Sequence, residues 1–509
     1  FYSRCISDLQ AERKPDLALM AAPASPIDVC VRLASGHSIM VSLAADEPVS
    51  TLICRSRELL KLPVAFLVKS SGDILNPSEL LLEESLALEA IIIQTRVFGN
   101  SHAFAALKGD GSIVTWGHPS NGGDSFAVQS QLQGDVKHVV SNAGAFAALK
   151  GDGSVVTWGL AESGGDSMAV RAQLDGHVQR VCSTSLAFAA LKDDGSIVTW
   201  GSAGDGDRGE LSAVEAHVLS DAQQLFSNSN AFAALKRDGS ILTWGLASSG
   251  GDSSAAYDQL QGDVKQVFCT SDAFAALKGD GSIVTWGNAK NGGDSSTVQA
   301  QIQCDVKQVF NSGGAFAALK GDGSLVTWGN VRDAANSSRV QAQLQGNVQQ
   351  VFSTPRAFAA LKGDGSVVTW GSASHGGDSS AVQAQLQGNV QRIFSTDCAF
   401  AALKTFGSIV TWGDASFGGD NSAVQAQVQS DVQQVFSNTT AFAALKGDGS
   451  IVTWGFGKHG ADSSAVRAQL QGNVQQVFNT RSAFAALKDD GSIVTWGFAN
   501  SGGDSSTVQ

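Results

Sequence analysis

Apolar and polar positions follow different rules on the two sides of residue 96. Ile27, Val29, Val31 and Leu33 alternate with Asp28, Cys30 and Arg32, and Ile39, Val41 and Leu43 alternate again after a turn at 34–37. Alternation at period two predicts a β-hairpin with one buried face. Over 48–62, Val49, Leu52, Ile53, Leu59 and Leu60 recur on a helical period, with Asp46 placed to cap it. Phe66, Leu67 and Val68, then 80–82, then 88–95 predict three more strands, the middle one short. Residues 27–95 therefore read as a small α+β unit, and 1–26 as an extension outside the fold.

From 96 onward the apolar runs are almost continuous and they repeat. Ala103-Phe104-Ala105-Ala106-Leu107-Lys108, a turn that is Asp-Gly in all copies but the one where Phe406 interrupts it, and Ile113-Val114-Thr115-Trp116-Gly117 or a close variant return nine more times, and the ten copies use every tryptophan in the chain. The spacing is 42 residues, except for 44 between Trp200 and Trp244. Two short apolar runs joined by Asp-Gly predict a hairpin, because Asp and Gly tolerate positive φ. A further strand precedes each hairpin, as at 264–269. A Gly-Gly-Asp-Ser loop follows it, then a segment such as 380–386 that reads as a fourth, outer strand in preference to a short capped helix. Runs without alternation need cover on both faces, which a propeller blade receives from its two neighbours. The repeated Phe and Trp then belong to blade packing, each ring contributing roughly 2–3 kcal/mol by burial. The expected fold is mainly β, with four-stranded propeller-type repeats over 96–509 arranged as a ring or an open spiral.

The string Ala-Phe-Ala-Ala-Leu-Lys-x-Asp-Gly-Ser-Ile-Val-Thr-Trp-Gly resembles the repeat of the regulator of chromosome condensation family. That family builds seven-bladed propellers from somewhat longer repeats, so the ten units here depart from it. The resemblance implies protein, chromatin or small-GTPase partners. The order of elements in 27–95, with Leu33-Ala34-Ser35-Gly36 at the first turn and Ser85-Leu86 before the last strand, is that of the β-grasp fold and looks like a ubiquitin-like domain. It has no terminal Gly-Gly, so conjugation is not expected of it. Phe66, Leu67 and Val68 fall near the strand that carries ubiquitin's apolar recognition patch.

Charge narrows the partners. The net charge of −13 is shared between both parts of the chain, which disfavours direct nucleic-acid binding through phosphates. The seven cysteines do not recur with the repeat, so they read as reduced thiols of an intracellular protein, cytoplasmic or nuclear. No apolar run is long enough for a membrane span. The first residue is Phe1 rather than Met, and the chain stops part-way through a familiar Ser-Ser-x-Val-Gln stretch, so continuation past residue 509 is expected.

Catalytic chemistry is not signalled. Each Gly-Asp-Gly-Ser hairpin offers one Asp where a calcium loop needs several ligands, and the eight histidines lack metal-ligand spacing. No phosphate loop or nucleophile elbow occurs. No enzyme activity, metal or cofactor is expected of this chain. Lysine recurs at the strand end in all ten units, which reads as a solvated rim.

Specificity should sit where copies differ. These places are the residues before each Ala-Phe-Ala-Ala and the loop after each Trp-Gly, and they nominate Arg356, Lys458, His459 and Arg481. The longest and most charged loop nominates Asp205, Asp207, Arg208 and Glu210, and the N-terminal unit nominates Phe66, Leu67 and Val68. The expected function is a protein-interaction scaffold or adaptor linked to ubiquitin signalling. The alternatives are a fragment of a HECT-type ubiquitin ligase, or a guanine-nucleotide exchange factor for a small GTPase.

Overall fold

A computed structural model describes residues 96–202, 221–332 and 334–504 with side chains, and the backbone of four strands nearer the N-terminus. The chain divides into two units, Phe1–Ile93 and Gln94–Gln509. In the first, strand β1 (Ile27–Arg32) pairs antiparallel with β2 (Ser38–Leu43) and parallel with β4 (Ala87–Ile92). Strand β3 (Val64–Lys69) pairs antiparallel with β4, giving the order β2-β1-β4-β3. The helix expected at 48–62 and the short strand at 80–82 lie outside the described residues.

In the second unit each repeat is a three-stranded antiparallel sheet, and the described residues contain ten of them. In the fifth blade the strands are Val264–Cys269, Ala273–Lys278 and Ile283–Gly287, in that spatial order. The second and third are joined by the Asp-Gly turn. Asp280 accepts the Ser282 backbone N–H at 2.9 Å, and Gly281 takes φ 79°, so both turn residues are used for what only they do well.

The fourth strand expected at 380–386 is not formed. Ser380–Leu386 is a 3-10 helix, as are its counterparts in the other described copies, which makes each blade three-stranded. Local side-chain bonds win here. Asp378 accepts the Ser380 N–H at 2.9 Å and the Ser379 hydroxyl donates to Gln383 Oε1 at 3.1 Å, starting a turn that a strand would have to break. Leu386 is fully buried at the end of that turn, and a single bridge from Ser366 to Gln387 is all that remains of an outer strand.

The first strands of successive blades contact one another right round, the tenth touching the first. They therefore surround the axis, and the ten blades close into a ring rather than a spiral. Ala483 and Ala485 of the last blade share a core with Val97, Phe104, Ala106 and Trp116 of the first. A register shift in each first strand from the second blade on, as between Val264 and Gln266, puts two consecutive residues on the exposed side and explains why these strands read apolar-polar-polar-apolar.

Each blade is held by one repeated joint. The Phe of Ala-Phe-Ala-Ala is essentially fully buried and lies against the Trp of the third strand, with centroids 5.1–5.4 Å apart. In nine blades, all but that of Trp244, the Trp indole N–H donates to a described carbonyl in the loop leaving the previous blade, for example Trp286 to Gly250 at 3.1 Å. Gly250 must be small as well as left-handed: its φ is 96°, and a Cβ there would meet Phe274 at 2.7 Å.

Candidate recognition face

The two variable segments of every blade lie at the same end of the ring. The residue after each Trp-Gly donates its backbone N–H to the carbonyl just before the next-door Ala-Phe-Ala-Ala. His118 bonds His102, Asn288 bonds Asp272, Ser372 bonds Arg356 and Phe456 bonds Thr440, and all ten copies of this bond measure 2.9–3.0 Å. The Asp-Gly turns and the repeated lysines are at the opposite end. One face of the ring thus carries most of what differs between copies, and the other is nearly constant, departing chiefly in blade 8, where Thr405-Phe406 replaces Gly-Asp and leaves Phe406 exposed.

A second belt of bonds rigidifies the variable face near the axis. Ser185 N–H donates to Ser229 O, Ser229 to Ser271, Ser271 to Gly313 and Gly313 to Pro355, each linking one blade to the next at 2.9–3.2 Å. Pro355 has no N–H to pass on, and the belt resumes with Asp397 to Thr439 at 2.8 Å. Side chains bond in the other sense, as Ser183 Oγ to Ser141 O at 3.0 Å and Ser395 Oγ to Ser353 O at 2.7 Å. Inside the belt is a cavity of about 720 Å³ lined mainly by Ser, Thr, Asn and Gly, with Cys269 and Pro355, whose only charged side chains are Asp397 and Arg481.

Charge is unevenly spread around this face. Asp272 is consumed internally: its carboxylate accepts from Ser249 Oγ and Asn291 Nδ2, both at 2.9 Å. Asp397 is half-buried, and desolvation raises its pKa against the pull of Arg481 and His375. Cys398 beside it is pushed up to about 11 by burial and by Asp397 and Asp414, which makes it a poor nucleophile. Burial lowers the pKa of His459, and Arg481 lowers it further. Burial, His118 and Arg481 do the same to His102. Arg481 therefore stands within electrostatic reach of groups from blades 8, 9 and 1.

No protein-family model matches the chain, and no curated protein matches it. Among solved structures it is similar to the CRINKLY WD40 ectodomain of the Arabidopsis thaliana receptor kinase ACR4, at 16% identity over 53% of this chain and 93% of that one, with a TM-score of 0.29. Prp20p of Saccharomyces cerevisiae matches at 17% identity over 49% and 74% of the two chains, TM-score 0.28, and human WBSCR16 at 14% over 81% and 85%, TM-score 0.26. At these values none of them bears on what this chain binds. The β-propeller fold stands on the sheets and the ring closure described above.

Of the residues nominated from sequence, Arg356, Lys458, His459 and Arg481 all fall on the variable face, the last three in adjoining blades. Asp205, Asp207, Arg208 and Glu210 lie outside the described residues. Phe66, Leu67 and Val68 lie on β3, of which only the backbone is described. Sequence reading passed over Phe498, His102 and His118. The signal was present, since Phe456 and Phe498 are the only aromatic rings besides His118 at the position after Trp-Gly. The lysine rim is also more structural than expected: Lys278, Lys362 and Lys404 donate to Gln259, Gln343 and Gln385 carbonyls at 2.7–3.1 Å, ending the 3-10 helices. Among the described residues no group of three His, Cys, Asp or Glu is placed to hold a metal ion, and no helix is long and apolar enough to cross a membrane.

Proposed function

We propose that this chain is a non-catalytic protein-interaction scaffold that recognises a partner protein through the variable face of its ring. The observation that carries this is the segregation of differences. Both variable segments of every blade are tied by one backbone bond to the same face, whereas Phe, Trp and the Asp-Gly turns are used up in packing and turn geometry. A rigid belt presenting ten non-identical turns is suited to reading an extended surface. The strand order β2-β1-β4-β3, with a parallel pair at its centre, supports reading 27–95 as a ubiquitin-like β-grasp module and hence an adaptor in ubiquitin signalling. Neither the ligase-fragment nor the exchange-factor alternative is favoured by a specific observation.

Photo-crosslinking amino acids placed singly at Arg356 and Arg481 on one face, and at Asp322 and Asp364 on the other, test this in full-length protein in cell extract. Discrete protein adducts are expected from the first pair and none from the second. Adducts from the Asp-Gly turns instead, or from neither face, would sink the reading.

A further inference from the structure

The sector formed by blades 9, 10 and 1 differs from the rest of the variable face in kind. Phe456 and His459 meet edge to face at 4.9 Å, and His459 meets Phe498 of the next blade at 6.0 Å. Across the ring closure, His102 and His118 lie 6.3 Å apart in the first blade. His459 is fixed from behind, because Thr440 Oγ1 lies 3.0 Å from its Nδ1 and the Asn438 side-chain amide donates to its carbonyl at 2.6 Å. Phe456 and Phe498 nevertheless remain 41% and 42% exposed. The other blades place His, Leu, Ser, Asn or Asp at that position.

Cations gather in the same sector. Lys458 is exposed on the Phe456 loop, and Arg481 is the one cation that any copy places two residues before Ala-Phe-Ala-Ala. Arg481 is exposed and lies near enough to His102 and His459 to help hold both imidazoles neutral, so the positive charge of this space is that of Arg481, with the two rings as neutral polar neighbours. The carboxylate Arg481 also feels, Asp397, belongs to the eighth blade. Asp462, the acid nearest along the Phe456 loop, is held by Ser464 at 3.0 Å.

We propose that blades 9, 10 and 1 form a docking site for an acidic, aromatic-containing peptide segment of a partner protein. A carboxylate of that segment sits among Arg481, His459 and His102, and an apolar side chain covers Phe456 and Phe498. This deepens the scaffold reading and rests on it. Charge complementarity favours a short acidic segment over nucleic acid, because a phosphate backbone leaving the sector in the direction of blade 8 runs past Asp397 and Asp414 in a chain of net charge −13. Arginine is also among the residues that binding hot spots favour.

The repeat supplies its own controls, since other copies show which residues each position tolerates. Fluorescence anisotropy on the full chain would use three labelled probes: a peptide of alternating Glu and Phe, its counterpart with Lys for Glu, and a ten-nucleotide oligouridylate. The acidic peptide should bind saturably and at least tenfold more tightly than the other two. Phe456→Asn, Phe498→Ser and Arg481→Ser together install residues that Asn288, Ser372 and Ser271 already carry in intact blades, and should cost at least tenfold with an unchanged thermal melt. Equal affinity for acidic and basic peptides, tighter binding of oligouridylate, or no effect of the triple substitution would overturn the proposal. If the triple variant keeps its crosslinks at Arg356, the scaffold reading stands without this site; if all variable-face crosslinks are missing, the broader reading has failed.

Discussion

The indole N–H of Trp116 donates to the carbonyl of Gly502, 3.2 Å away and 386 residues later in the chain. It is the same bond that Trp286 makes to Gly250 at 3.1 Å between ordinary neighbours. The ring is thus closed by one more copy of its standard joint. Trp116→Phe and Trp286→Phe should each destabilise the protein by a similar amount, about 1 kcal/mol for the lost hydrogen bond plus the cost of the cavity left by the smaller ring. Equal shifts in denaturant midpoint support closure, and no effect of Trp116→Phe would mean that the first blade has no neighbour.

A natural variant of the joint already exists in blade 7. Ala334 stands where the other described copies have Gly, and Trp370 still reaches its carbonyl at 2.8 Å. The cost shows in the stack: Phe358 and Trp370 are tilted by 34°, against 14–26° elsewhere. A Cβ at Gly250 would meet Phe274 at 2.7 Å with φ at 96°. Gly250→Ala should therefore destabilise by about 1–2 kcal/mol, the left-handed penalty for a residue with a Cβ. A thermal melt of the variant checks it, and an unchanged midpoint would show that the joint tolerates a methyl group without strain.

Acid should loosen the Asp-Gly turns as a set. In nine blades the turn Asp has a lowered pKa, chiefly because the Ser two residues on donates to it. A carboxylate whose folded pKa lies below its unfolded value stabilises the fold above the unfolded value, and that contribution is lost as pH falls through the folded one. The contribution of these turns should be flat near neutrality and fall below the ordinary Asp value of 3.8. Asp280→Asn with Asp322→Asn should make the fall shallower in a pH series of urea midpoints; an unchanged slope would assign acid sensitivity elsewhere.

His102, His138 and His459 should titrate below the ordinary value of 6.5, each mainly because burial disfavours the cation. Neighbours then divide them: Arg481 acts on His102 and His459, whereas Arg96 and Arg180 act on His138. Arg481→Ser should raise the first two and leave His138 in place when the imidazole resonances are followed by NMR. Because these folded pKa values are depressed, the histidines stabilise the fold above 6.5 and withdraw that stability as pH falls through their own lower midpoints. A common shift of all three on Arg481→Ser would place Arg481 somewhere other than the variable face.

The repeat length, the Asp-Gly hairpins and the buried Phe and Trp were legible in the sequence, since each rests on local turn chemistry or on apolar runs. The outer segment was misread because Val382 and Leu386 are four residues apart, which suits period two as well as a helical turn; the Asp378 and Ser379 bonds decide it. Closure was not legible, because the pairing of Trp116 with Gly502 has no local signature. Arg481 and His459 stood out as departures from their copies, but their gathering with His102 depends on the last blade meeting the first.

Hydrogen exchange on the full chain, with and without its crosslinked partner, tests the recognition face most directly. New protection is predicted in the turns before Ala-Phe-Ala-Ala and after Trp-Gly, centred on 456–459, 479–482 and 498–502, with the Asp-Gly turns exchanging as before. Protection confined to the Asp-Gly turns, or to residues 27–95 alone, would contradict the account.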